Sequence, residues 1–454
     1  MSSLEVIVLA AGEGKRMYSD LPKVLHSLGG RPLLAHVLGA VAELQPHAVH
    51  VVYGHGGNRV PEALADSDVN WVEQAEQRGT GDAVARALPA IAENASVLVV
   101  YGDVPLTEAE TLSGVVALCA ADSMGLLTVT LDDPTGYGRI LRDDAGKVIG
   151  IVEEKDADEA HKGIREINTG ILCVTAKCLR DWLPRLTDNN AQGELYLTDI
   201  IALAVADGID VCTQFTTDVD EVLGVNDRTQ LARLERSYQR RQATRLMQAG
   251  VTLLDPERVD IRGQVQAGRD VVIDINVVLE GDVVLEDGVQ LGPNTWVRDS
   301  RLGPRTQVMP NSVIEDADVG ADCRIGPFAR VRPETQLADG VHVGNFVEIK
   351  KSQVGSGSKV NHLSYIGDSE IGREVNVGAG TITCNYDGAN KHRTIIGDGA
   401  FIGSGTQLVA PVSVGAGATV GAGSTITADA PADELTLSRS RQVSIKGWKR
   451  PSKK

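Results

Sequence analysis

From residue 251 onward the chain repeats every six residues, and this period restricts the possible fold more than any other feature of the sequence. Aliphatic side chains stand at Ile273, Leu279, Leu285 and Leu291, then at Val319, Ile325, Val331, Leu337, Val343 and Ile349. The register returns at Ile396, Ile402, Leu408, Val414, Val420 and Ile426. A β-sandwich spends about 8–12 residues on each strand and turn, so it does not fit. A six-residue unit is one side of a triangular coil, and three such units make a turn with each aliphatic pointing into the prism. A parallel β-helix over 251–454 is therefore expected. Its flat sides would bury against copies of the same chain, which predicts an oligomer. Residues 378–395 (GAGTITCNYDGANKHRTI) break the register and predict a projecting loop, a common place for binding groups on a repeat scaffold.

Residues 1–228 follow a different rhythm, in which EVIVLAA, PLLAHVLGAVAEL, HAVHVVYG, GDAVARALPAIAE and SVLVVYGD alternate between strand and helix patterns. Such alternation predicts an α/β domain with a mostly parallel sheet covered on both faces. Between the two halves, residues 229–250 carry Leu231, Leu234, Tyr238 and Leu246 at near-helical spacing and end in Gly250, which predicts a helical linker arm. Against 44 Lys and Arg stand 61 Asp and Glu, a net charge of −17. Nucleic-acid affinity leans on basic surface, so a polyanion-binding role is not expected. No apolar run approaches the roughly 18–20 residues of a membrane helix, and the N-terminus lacks the basic segment of a signal peptide. Six Cys without a C-x-x-C pair predict neither a disulfide framework nor a zinc site and fit a reducing cytoplasm. The basic tail (Lys446, Lys449, Arg450, Lys453, Lys454) is either solvated or in contact with an anionic ligand.

Chemistry enters after the first predicted strand, at Leu9-Ala10-Ala11-Gly12-Glu13-Gly14-Lys15-Arg16-Met17, followed by Pro22-Lys23. Small residues let backbone N–H groups approach a phosphate or nucleobase, and the cations suit a triphosphate. No P-loop is present, and Met17 stands where a dinucleotide fingerprint needs its third Gly. Asp103, in Tyr101-Gly102-Asp103-Val104-Pro105, ends a strand, where parallel sheets bind ligands. A hard oxygen ligand beside a triphosphate suits Mg²⁺, although strand-end Asp residues also cap helices. In the second half, His362 sits among polar neighbours near the projecting loop and is a candidate base for acyl transfer to an amine. The Gly-rich loops offer N–H groups to an oxyanion. Cys384 has no evident His and carboxylate partners, so direct transfer from a thioester is favoured over a thiol intermediate. The pairs Glu153-Glu154 and Asp132-Asp133 read as solvated turns.

These motifs resemble the sugar-nucleotide pyrophosphorylases. The match rests on L-A-A-G-x-G-K/T-R-M with P-K downstream, Q-x-x-x-x-G-T-G (74–81), Y-G-D-V-P, DDPTGYGRI (132–140), IVEEKD (151–156), EINTGI (166–171) and GVNDR (224–228). With the β-helix, nearly all 454 residues resemble the bacterial bifunctional uridyltransferase/acetyltransferase family. The resemblance implies a Rossmann-like nucleotidyltransferase domain followed by a left-handed parallel β-helix of hexapeptide repeats. It implies that Leu9, Ala10, Ala11, Gly12, Gln74, Gly79 and Thr80 hold the uridine nucleotide, with Arg16 and Lys23 facing its phosphates. Gly138, Glu153 and Asn168 would hold the sugar, with Tyr101 near the nucleotide-sugar, and Asp103 with Asn226 would bind Mg²⁺.

In the second half the same resemblance rests on FARVRP, GNFVEIKK, NHLSYIGD, NVGAGTITCNYDG, GSGTQLVAPV and LSRS. It makes His362 the base, and gives Arg332, Lys350, Tyr365 and Asn376 the sugar phosphate. Asn385 and Tyr386 would place the glucosamine, while Ala379, Ser404, Ala422 and Arg439 would contact acetyl-CoA, with Arg441 an alternative. The implied reactions are acetylation of glucosamine 1-phosphate and then UMP transfer from UTP, giving UDP-N-acetylglucosamine for peptidoglycan and lipopolysaccharide synthesis. A homotrimer sharing its acetyl sites between subunits is also implied. The competing expectation is a plain nucleotidyltransferase whose β-helix serves only assembly.

Overall fold

The structure, a computed structural model, describes residues 3–453. The chain divides into two compact units, one ending at Tyr238 and the other starting at Gln239.

The first unit is built on a sheet whose strands run Asp210–Phe215, Ser123–Thr130, Glu166–Thr175, Ser96–Tyr101, Leu4–Leu9, Ala48–Tyr53 and Asn70–Glu73 in spatial order. Every neighbouring pair is parallel except those of Glu166–Thr175, which runs antiparallel to both neighbours. Val6, Ile7 and Val8 are fully buried, Ile7 in the core on one face of the sheet and its neighbours in the core on the other. That two-sided burial is why their run is continuously apolar rather than alternating. The reversed strand pairs Leu172 with Val99 and Thr175 with Ser96. Its first residues, Asn168 to Gly170, therefore lie toward the end of the sheet where Leu9 and Tyr101 finish. A hairpin of Arg139–Arg142 and Val148–Val152 extends from the same strand.

A single helix spans Arg228–Gln248. In the first unit its Leu234 and Tyr238 are buried with Met17, Leu28, Leu33 and Val225. Gly29, at φ +55°, leaves room for the Tyr238 ring, which a Cβ there would meet at 2.2 Å. In the second unit, Gln239 exchanges two hydrogen bonds with the Ile261 backbone, at 2.8 and 2.6 Å. Ala243 and Leu246 join the core of that unit. The arm thus contributes apolar residues to both units, and the division between them falls inside the helix.

The second unit is a parallel β-helix. Ile261, Leu279, Val297, Ile314, Val331, Ile349 and Ile366 stack in parallel register, one per turn, down the inside of one face. All sixteen aliphatics at the six-residue positions are buried, none more than 4% exposed. The lapses in the sequence register have a local cause. From Val297 to Leu302, Ile314 to Val319, Ile349 to Val354 and Ile366 to Ile371, inward side chains are five positions apart rather than six. The shortened corners hold Asp299, Asp316, Lys351 and Asp368 at φ between 43° and 50°. The long interruption is a loop between the strands Ile382–Cys384 and Thr394–Ile396.

A second column of corners changes character along the coil. Asn276, Asn294 and Asn311 form an amide ladder at 2.9 and 3.1 Å. The next three turns place Phe328, Phe346 and Leu363 in the left-handed region, exposed by 50, 56 and 64%. Gly380, Gly405 and Gly423 follow. Bulky residues at positive φ cost about 1–3 kcal/mol each, so this stretch of corner is locally strained.

Candidate active sites

The first site lies at the carboxyl ends of the strands Leu4–Leu9 and Ser96–Tyr101. A cavity of about 600 Å³ is lined there by Leu9, Ala10, Ala11 and Gly12, by Gln74, Gly79 and Thr80, and by Lys23, Tyr101, Asp103 and Asn226. A Cβ on Gly12 would meet nothing within 4 Å, so packing does not demand this glycine; it leaves the backbone open to a ligand. Gly79 is a different case. Its φ is +110°, and a Cβ would lie 2.5 Å from the Leu195 carbonyl oxygen, so only glycine fits. Gln74, 2% exposed, donates from Nε2 to the Gly79 carbonyl at 3.1 Å and to Asp82 Oδ2 at 2.8 Å. Thr80 Oγ1 accepts from the Leu197 amide at 3.0 Å.

Charge concentrates at the far wall. The Lys23 ammonium donates to the Asp103 carboxylate and, at 3.3 Å, to Asn226 Oδ1. Asp103 is further fixed through its carbonyl, which accepts from the Val225 amide at 2.9 Å. Two hard oxygen donors already converging on one cation suit Mg²⁺, which takes one or two protein ligands and keeps waters. Among the described residues no group of three or more His, Cys, Asp or Glu gathers as a metal cluster.

Besides lining the cavity, Tyr101 packs on the reversed strand, where a Cβ on Gly170 would meet its ring at 2.4 Å. Burial, with the Glu153 and Asp103 carboxylates, pushes the Tyr101 phenol far up, so it stays a proton donor. Burial also raises the Glu153 carboxyl, Asp199 and Asp156 adding to the rise while a 2.9 Å bond from Thr198 Oγ1 opposes it. A Cβ on Gly138 would reach Glu153 Oε1 at 3.3 Å, and the Gly138 carbonyl accepts from the Asn168 amide at 2.9 Å. Gly138, Glu153 and Asn168 are thus neighbours. The expected solvated turn at Glu153-Glu154 is corrected here: Glu153 is partly buried and bonded by Thr198, and Glu154 pairs at 2.6 Å with the buried Arg139. Arg16 is exposed and outside the cavity lining. The lining also includes Glu13, Lys15, Gln77 and Glu194, of which Gln77 and Glu194 were not singled out from sequence because no motif marks them.

The second site is on the β-helix. His362 ends the strand Lys359–His362 and is exposed, with Nδ1 3.0 Å from Asn345 Oδ1 on the preceding turn. An amide oxygen can only accept, so Nδ1 carries the proton and Nε2 is left to take one. Asn345 was missed from sequence, although it lies 17 residues before His362, one turn of the coil.

Nearby, Arg332 Nη1 pairs with Glu348 at 2.7 Å while its buried Nε has no partner. The Lys350 ammonium is pushed down by the adjoining Lys391 ammonium, with Arg332 acting in the same direction. Asn385 donates to Asp368 and, at 3.5 Å, to the Tyr365 hydroxyl. Lys391, also missed from sequence, belongs to the projecting loop, where an isolated bridge pairs it with Tyr386. Asp387 holds that loop by accepting from the Ala389 and Asn390 amides at 2.8 and 2.6 Å and pairing with His392 at 2.7 Å. Asn376 lies on another face, beside Lys359 and Phe401 in the ladder, and not with Lys350 and Tyr365.

Ala379, Ser404 and Ala422 occupy one corner column, linked through Gly405 and Gly423, whose amides donate at 2.7 and 2.8 Å to Ala379 and Ser404. Arg439 Nη1 donates to the Ala422 carbonyl at 2.7 Å, and Arg441 is exposed. Burial raises the Cys384 thiol, the opposite of what a nucleophilic thiolate needs.

Comparison with known proteins places these sites in context. Residues 6–191 match the MobA-like NTP transferase domain family, and residues 393–428 match the bacterial transferase hexapeptide family (six repeats). The chain is 58% identical to the bifunctional protein GlmU of Nitrosospira multiformis over 100% of this chain and 99% of the relative. It is 59% identical to that of Methylococcus capsulatus over 99% of this chain and 98% of the relative. Similarity of this depth runs through both units, and the chain belongs to the GlmU family, bifunctional enzymes in which a nucleotidyltransferase and a hexapeptide acetyltransferase together make UDP-N-acetylglucosamine.

Proposed function

We propose that each unit carries the reacting groups of one reaction, assigned as follows. In the second unit, His362 Nε2 takes a proton from the amine of glucosamine 1-phosphate as it attacks the thioester of acetyl-CoA, and the C–S bond breaks with that proton passed on to the departing CoA sulfur. Arg332, Lys350 and Lys391 form a cationic wall for the sugar phosphate. Tyr365, Asn385 and Tyr386 place the sugar, and Asn376 completes the set only if a neighbouring subunit brings it. Ala379, Ser404 and Ala422 line the path of acetyl-CoA, with Arg439 toward its phosphates.

In the first unit, a phosphate oxygen of N-acetylglucosamine 1-phosphate attacks the α-phosphorus of UTP as the bond to pyrophosphate breaks. The nucleophile is already an anion, so positioning and charge neutralisation matter more than a base. Leu9 to Gly12, Gln74, Gly79 and Thr80 bind the nucleotide, Lys23 and Arg16 meet its phosphates, and Tyr101, Gly138, Glu153 and Asn168 hold the sugar. Asp103 and Asn226 would hold Mg²⁺, which neutralises phosphate charge when bound. We place the enzyme in the cytoplasm, where UTP and acetyl-CoA are available. The apolar corner Phe328, Phe346 and Leu363 beside His362 supports a homotrimer in which subunits meet at the acetyl site.

The observation that carries this assignment is the exposed His362, whose Nδ1 meets Asn345 Oδ1 so that Nε2 is left to take a proton. The test follows two reactions on purified full-length protein. Glucosamine 1-phosphate with acetyl-CoA should release free thiol, and N-acetylglucosamine 1-phosphate with UTP and Mg²⁺ should release pyrophosphate. Pyrophosphate without thiol, from folded trimer, would reduce the β-helix to an assembly device.

A further inference from the structure

Lys23 does more at the first site than face a triphosphate. Its ammonium lies between Asp103 and Asn226, the two oxygen donors assigned above to Mg²⁺, and both members of the Lys23–Asp103 pair are only 12 and 14% exposed. The stem is packed in place: Gly14, at φ +65°, brings its backbone so close that a Cβ there would lie 2.8 Å from Lys23 Cβ. Asp103 is fixed from behind by its bond with Val225.

We infer that Lys23 is a positioning residue that holds the metal ligands in the nucleotide-free enzyme and keeps a divalent cation out until a triphosphate draws the ammonium away. The inference rests on the assignment of Asp103 and Asn226 as metal ligands. Two cations cannot share one partly buried carboxylate without strong repulsion, so free metal must displace the ammonium to bind. A triphosphate changes the balance, because its oxygens offer the flexible ammonium a new anionic partner. Asp103 then passes from lysine to metal with neither carboxylate nor ammonium left unpaired. The site would fill with metal and nucleotide together.

Manganese(II) alone is the probe, read by electron paramagnetic resonance of the free ion in titrations of the full-length protein without substrates. Wild type should bind weakly, and Lys23→Met should bind at least about tenfold more tightly, through Asp103. Lys23→Gln should behave as Lys23→Met does, and Lys23→Arg, which keeps the charge, should stay weak. Asp103→Asn added to Lys23→Met should remove the gain. Equal manganese affinity in wild type and both neutral variants, each folded by circular dichroism, would overturn the inference. A parallel titration with UTP separates this failure from that of the underlying assignment. If Asp103→Asn does not weaken manganese binding in the presence of UTP, the ligand assignment itself fails.

Discussion

At the scale of single residues, the two sites differ in how much of their geometry motifs can carry. Leu9 to Gly12, Gln74, Gly79, Thr80 and Asp103 are contiguous with strand ends or sharp turns, so their places could be expected from local sequence and the cavity gathers them. Asn345 and Lys391 were not legible, because each acts through a neighbour 17 or 41 positions away that only the coil brings near. Arg16 fits its motif but is exposed outside the cavity. Two predictions belong here. Asn345→Ala should free the His362 tautomer and lower kcat for acetyl transfer at least about tenfold, with little change in KM for acetyl-CoA, in steady-state assays. Gly79→Ala forces a Cβ toward the Leu195 carbonyl at a left-handed φ. It should cost about 1–3 kcal/mol and lower the Tm of the first unit in calorimetry.

At the scale of elements, the six-residue period predicted the prism interior, because each inward position needs an aliphatic whatever its neighbours are. The same period could not predict the five-residue sides, whose shortening is made at corners such as Asp316 and Asp368, where Asp or Lys accepts a left-handed φ without an apolar signature. The projecting loop was expected from its broken register, but its fastening was not. Asp387 fastens it, and the Asn390 amide, the His392 ring and the Ala389 amide together hold its carboxyl well below the ordinary value of 3.8. A depressed carboxyl contributes stability that is complete above that ordinary value and is lost as pH falls through the lower folded-state value. Hydrogen exchange should therefore find the Ala389 and Asn390 amides protected at pH 5 and losing protection only in stronger acid. Asp387→Ala should expose them at pH 7 and raise KM for glucosamine 1-phosphate by displacing Lys391.

At the scale of the whole molecule, one chain joins a doubly covered sheet to a coil whose parallel sheets enclose their own core, and the helix Arg228–Gln248 supplies apolar residues to each core. On the proposed assignment the two reactions use different units. Subunit contact is expected to matter for only one of them. Phe346→Asp places a charge in the exposed Phe328–Phe346 stack, whose ring centroids are 5.3 Å apart. If the proposed trimer meets at this corner, analytical ultracentrifugation should find it weakened, and thiol release should fall with it while pyrophosphate release persists.

The separation of the two sites is the central claim, and one measurement addresses it: thiol and pyrophosphate release assayed side by side on folded His362→Ala and Asp103→Ala proteins. His362→Ala should lose about 10²-fold or more of acetyl transfer and keep uridylyl transfer, and Asp103→Ala should do the reverse. If either folded variant lost both reactions, the two sites would not be independent and the account would be wrong.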